Sequence, residues 1–181
     1  MLRERWRGPG WRTFGGCAAD GQEVRNWITG VVCRHGCPAD PGDVALVVSE
    51  LFANAVVHGP ASGRVLLGYC LWPGGLRIVV CDEGGAGQPR VGDPGKLAEG
   101  GRGLLVVDAV AATWGSFRIG QVQAVWCDLG KPLDAVPAEA WAWLRPVIAA
   151  VGLSLGRHRA ERATDPPAIA NADRRGIVAL A

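Results

Sequence analysis

A chain of 181 residues, 49% hydrophobic and 20% charged, is long enough for one domain with its own core plus some tail, and too apolar to be disordered throughout. A net charge of +2 is too mild to argue for nucleic-acid binding, which demands a dense Lys/Arg face. No uninterrupted apolar run approaches the roughly 20 residues of a membrane span.

The start, "MLRERWRGPGWRTFGG", carries arginines but no apolar stretch of secretory type, so the expected location is the cytoplasm. Residues 1–19 show no hydrophobic period and read as a flexible N-terminal arm. Val24, Trp27, Ile28, Val31 and Val32 then recur at helical spacing. "GCPADPGD" interrupts the pattern, with Asp40 or Asp43 as a cap and Pro41 suited to a first helical turn. A second helix is predicted from about Asp43 to His58, stopped by Gly59-Pro60.

"RVLLGYCLW" (64–72) and "LRIVVCD" (76–82), joined by "PGG", read as a hairpin. A glycine-dense loop spans 83–103, "LLVVDAVAATW" after it reads as a short helix, and "SFRIG" with "QAVWCDL" forms a final strand pair. The domain proper is therefore 20–131. Residues 132–156 form a helical extension around "PAEAWAWLRPVIAAVG", and 157–181 an Arg-, Ala- and Pro-rich disordered tail. Strands joined directly rather than through helices predict an α+β fold: a two-layer sandwich of a mixed or antiparallel sheet with helices on one face.

Three segments carry chemistry. In "SELFANAVVHG" (49–59), residues four apart are offset by only about 40° on a helix surface, so Glu50 and Asn54 are neighbours. The plain reading is a solvated helix edge. The sharper one is a ligand site, because an asparagine oxygen suits a hard cation such as Mg²⁺ that also binds phosphate, and a glutamate one turn away can deprotonate a hydroxyl. His58 closes the helix, where the dipole favours a cation. In "VVCDEGGAG", Asp82 shares strand parity with Leu76, Ile78 and Val80, so its carboxylate points to the apolar side unless the chain turns outward first. The glycines at 84, 85 and 87 let the backbone approach a flat ring. In "GGRGLLVV", glycines lead into a helix whose free amides make a phosphate cradle, with Arg102 adding charge. No Walker loop and no strand-following GxGxxG occurs.

Six cysteines are present, at 17, 33, 37, 70, 81 and 127. Cys70, Cys81 and Cys127 sit in strand-like apolar runs and read as reduced core residues. "CRHGC" (33–37) lacks the second ligand pair of a zinc site, although a zinc or redox module stays an alternative.

"SELFANAVVHG", "VVCDEGGAG" and "EGGRGLLVV" resemble the N, G1 and G2 boxes of the Bergerat-type (GHKL) ATPases, which include histidine kinases, gyrase and heat-shock chaperones. In particular they resemble the small bacterial anti-sigma-factor serine/threonine kinases, over about residues 20–130. The first box matches E-x-x-x-N-A-x-x-H-G in full; the other two are looser, and the last glycine of the second box, Gly87, stands one position late. The resemblance implies the Bergerat fold, with ATP and Mg²⁺ as cofactors. It implies Asn54 as the Mg²⁺ ligand and Glu50 as general base toward a substrate serine. Asp82 would take the adenine amino group, with Gly84 and Gly87 making room for the ring. Gly101, Arg102, Gly103 and the amide of Leu104 would line the phosphates.

The function so implied is that of an ATP-binding regulatory protein, a serine/threonine kinase that binds a sigma factor or similar partner and phosphorylates an antagonist protein, and that can form a homodimer. Members of the family differ in whether kinase activity is retained, so a non-catalytic ATP-binding interaction module is the alternative. A two-component histidine kinase would need a phosphoacceptor histidine on a dimerising helix pair, and His35, His58 and His158 offer no such context.

Overall fold

A computed structural model describes residues 7–60, 63–84, 103–119 and 121–131. The elements in order are β1 (Arg7–Gly15), a short 3-10 turn (Ala18–Asp20), α1 (Gly21–His35), α2 (Pro41–His58), β2 (Arg64–Trp72), β3 (Gly75–Asp82), α3 (Gly103–Val110), β4 (Thr113–Ile119) and β5 (Val122–Gly130). The strands form one sheet in the order β1-β2-β3-β5-β4, and every neighbouring pair is antiparallel. The result is an α+β fold with its three helices on one face of the sheet. Among the described residues, no helix is long and apolar enough to cross a membrane. The expectations for the 132–156 extension and the 157–181 tail lie outside the described residues.

Both long helices are bounded by the chemistry of their ends. Gly36 closes α1 in the left-handed conformation (φ 58°), and the Cys37 amide donates to the Val32 carbonyl at 3.0 Å. Asp40 caps α2, accepting from the amides of Gly42 (2.8 Å) and Asp43 (3.0 Å), with Pro41 in the first turn. α2 is the central helix. It buries Val44, Val47, Val48, Leu51, Phe52 and Ala55 against the sheet, α1 and α3.

The sheet supplies every second residue to this core: Val65 and Leu67 from β2, Leu76, Ile78 and Val80 from β3, and Val125, Cys127 and Leu129 from β5. β3 is buried along its whole length, on both faces. On the face away from the helices, Arg77 and Asp128 form a two-pronged ion pair (2.6 and 2.7 Å), each almost wholly shielded.

One region differs from the sequence expectation. Residues 7–15, part of the predicted flexible arm, form the edge strand β1, paired to β2 from Arg7↔Leu71 to Gly15↔Arg64 with a bulge between Arg7 and Gly10. Tertiary contacts create this strand. Phe14 is buried edge-on against Trp27 and Phe52, and Arg12 pairs with Glu23 of α1. β4 also starts three residues earlier than "SFRIG" suggested, because Thr113 already pairs with Asp128.

Candidate functional site

The site is assembled where the C-terminal half of α2, the start of α3 and the end of β3 meet. Leu51 and Ala55 of α2 face the core, which turns the flanking Glu50 and Asn54 toward α3, both half-buried. Gly103, the first residue of α3, lies directly against them. A Cβ placed on it would stand 2.7 Å from Glu50 Oε2 and 3.3 Å from Asn54 Nδ2. Any side chain there would occupy the space in front of both polar groups. Leu104 anchors the helix start in the core at 6% exposure, which holds the first-turn amides beside Glu50 and Asn54. A carboxylate, an amide side chain and a glycine helix start are thus brought together from two segments some fifty positions apart.

Asp82 ends β3 and faces the helix side, as its parity with Leu76, Ile78 and Val80 requires. Only 7% of it is exposed. Its carboxylate accepts the Gly84 amide at 2.6 Å, and its Cβ lies 3.6 Å from where a Cβ on Gly59 would stand, so it adjoins the C-terminal end of α2. Burial raises the Asp82 carboxyl above the usual aspartate range. The Gly84 hydrogen bond and the positive charges of Arg118 and His58 oppose that rise, and Glu83 adds to it. His58 is itself exposed at the helix end. Gly84 has φ 76°, and a Cβ on it would fall 1.8 Å from the Gln121 carbonyl oxygen, so no other residue fits.

Two residues near Asp82 were not singled out from the sequence. Gln123 is its cross-strand partner, 5% exposed and on the same face, with Nε2 donating to the Phe117 carbonyl at 3.0 Å. Arg118, opposite Gln123 in the β4–β5 hairpin, donates to Gln123 Oε1 at 3.3 Å. The hairpin reading could have set these two side by side, but their place next to Asp82 follows from the pairing of β5 with β3. The predicted site residues Gly87, Gly101 and Arg102 lie outside the described residues.

In the "CRHGC" turn, Cys33 and His35 are exposed and Cys37 is half-buried, and all six cysteines are free thiols. Among the described residues, no three His, Cys, Asp or Glu side chains are grouped so as to hold a metal ion. A single amide oxygen that completes its shell with phosphate and water, as Asn54 offers, needs no such group. The Asn54–Gly103 cradle therefore fits Mg²⁺ held jointly with phosphate.

The model of the histidine kinase-like ATPase domain matches residues 18–123. Among solved structures, the chain is similar to the histidine kinase domain from the Erythrobacter litoralis EL346 blue-light activated histidine kinase, with 27% identity and a TM-score of 0.40 over 61% of this chain. This chain spans 60% of that structure's length. No curated protein matches.

Proposed function

The chain belongs to the histidine kinase-like ATPase domain family, and from that membership we propose that it is an ATP-binding regulatory protein that phosphorylates a serine or threonine of an antagonist protein. In this reading it works in the cytoplasm, alone or as a homodimer, and its second partner is a sigma factor or a similar regulator. The contact that carries the reading is that of Gly103 with Glu50 and Asn54. It brings together a candidate base, a hard-cation ligand and the amide-bearing start of a helix.

Asn54 would hold Mg²⁺ through its side-chain oxygen. When bound, the ion supplies charge neutralisation on the phosphate oxygens. The amides opening α3 at Gly103 and Leu104 orient the phosphates. Asp82, which already accepts the Gly84 amide, would accept a hydrogen bond from the adenine amino group, and Gly84 would make room for the ring. Glu50 takes the proton of the attacking hydroxyl. That oxygen bonds to the γ-phosphorus as the bond to the β–γ bridging oxygen breaks, and ADP leaves. The half-burial of Glu50 keeps its carboxylate at the cradle rather than out in bulk water.

The Glu50→Gln variant tests the assignment. Mg-ATP binding, followed by calorimetry, is expected to persist while transfer to a purified antagonist falls by about 10²–10⁴-fold. Transfer at the original rate removes Glu50 from the role of base. ATP binding by the unaltered chain without transfer to any candidate supports a non-catalytic module, in which nucleotide state shapes a protein-binding surface.

A further inference from the structure

Among the described residues, the helices lie on one face of the sheet. Strand parity assigns Leu66, Cys70, Val79, Cys81, Ala124 and Trp126 to the other face, and none of them joins the core made with α1, α2 and α3. All six are nevertheless shielded, none being more than 6% exposed. The Arg77–Asp128 pair lies among them at 2% and 1% exposure, with the guanidinium 4.3 Å from the Trp126 ring centroid. Burial pushes the Cys70 and Cys81 thiols up to about 12. This shielding belongs to a single chain, so a second copy is not required to produce it. A face this apolar, carrying a buried ion pair, requires a dry cover.

The chain itself leads to that face. After β5 ends at Gly130, the Lys131 amide donates to the Gly74 carbonyl at 2.8 Å, and the Lys131 carbonyl accepts from the Trp72 indole at 3.2 Å. Trp72 has the parity of Leu66 and Cys70, so the backbone leaves β5 on the side away from the helices. Residues 132–181 follow. Within them "PAEAWAWLRPVIAAVG" (137–152) holds two tryptophans, a leucine, an isoleucine and two valines against just two charges, Glu139 and Arg145. The segments 1–6 and 85–102 have no comparable apolar run, and the chain beyond 157 is Arg-rich.

We propose that residues 137–152 dock across the second face of the sheet, over the Arg77–Asp128 pair and Trp126, making the sheet the middle of three layers. Hydrogen exchange on the intact full-length chain tests this directly. Peptides within 138–151 are expected to exchange at least about 100-fold more slowly than an unstructured chain, at every protein concentration used. Exchange at the unstructured rate overturns the proposal. Protection that disappears on dilution assigns the cover to a second copy and overturns it as well. In the full-length Trp141→Asp/Trp143→Asp variant, alkylation of Cys70 and Cys81 is expected to accelerate at least about tenfold while Cys127, on the helix side, stays protected. Unchanged protection of Cys70 and Cys81 overturns the proposal. Should all three thiols react together, the variant has unfolded, and exchange on the unaltered chain decides.

Discussion

At the scale of single residues, Asp82 gives the sharpest expectation. Its folded carboxyl titrates above the ordinary aspartate range because burial outweighs the Gly84 amide and the nearby charges of Arg118 and His58. Protonation replaces a charged acceptor with a neutral carboxyl, a weaker acceptor for an adenine amine. Mg-ATP affinity is therefore expected to fall as pH drops through a value above the usual aspartate figure of about 4. The same shift means that the folded chain binds this proton more tightly than the unfolded one, so on acidification this group's contribution to the stability of the free protein rises. Thermal shifts measured with and without Mg-ATP between neutral and mildly acidic pH separate the two effects. Asp82→Asn is expected to abolish most of the nucleotide-induced rise in Tm and its pH dependence. Gly103→Ala sets a Cβ 2.7 Å from Glu50 Oε2 and is expected to weaken Mg-ATP binding at least about tenfold, about 1.4 kcal/mol, measured by calorimetry. Glu50, Asn54 and Asp82 were legible because each stands in a short motif whose period fixes its face. Gln123 and Arg118 were not, because their relation to Asp82 exists only across the sheet and depends on the register of three strands.

At the scale of elements, α2 is the scaffold of the site, and its beginning is held by a single side chain. Removing the Asp40 cap in Asp40→Ala leaves the Gly42 and Asp43 amides without their acceptor and is expected to cost about 1 kcal/mol, read as a lower midpoint in urea. Glu50 and Asn54 lie more than two turns further along, so Mg-ATP affinity in that variant is expected to stay within about twofold, the change being remote from both residues. The helix was readable from its proline, its cap and its apolar spacing. β2 and β3 were readable from unbroken apolar runs bounded by a glycine turn. β1 was not, since the glycines and the proline of "RGPGWRTFG" mask its few strand formers, Trp11, Thr13 and Phe14, and no sustained alternation marks it. Its pairing is supplied by the exposed edge of β2, and its anchoring by the ring contacts of Phe14 and the Arg12–Glu23 pair.

At the scale of the whole molecule, the two sides of the sheet are unlike: the one with the helices holds aliphatic residues with Phe14, Phe52 and Cys127, and the other holds Trp126, Cys70, Cys81 and an ion pair. Asp128→Ala removes the carboxylate that neutralises the buried Arg77 guanidinium and is expected to cost about 3–5 kcal/mol, whereas the double replacement Arg77→Met/Asp128→Leu is expected to be close to neutral, as urea unfolding of both would show. The continuous burial of β3 was visible in "LRIVVC", but an arginine inside it gave no hint that a partner would come from β5. The Gln121 carbonyl, at the turn between β4 and β5, is packed so closely on Gly84 that the hairpin tip and the backbone following Asp82 share one wall. A tag or binding peptide grafted into that tip would therefore not be a silent edit. Displacing one carbonyl there would release the very backbone that holds Asp82, so in the proposed reading the hairpin offers a remote handle for loosening a purine through a residue that does not itself meet it.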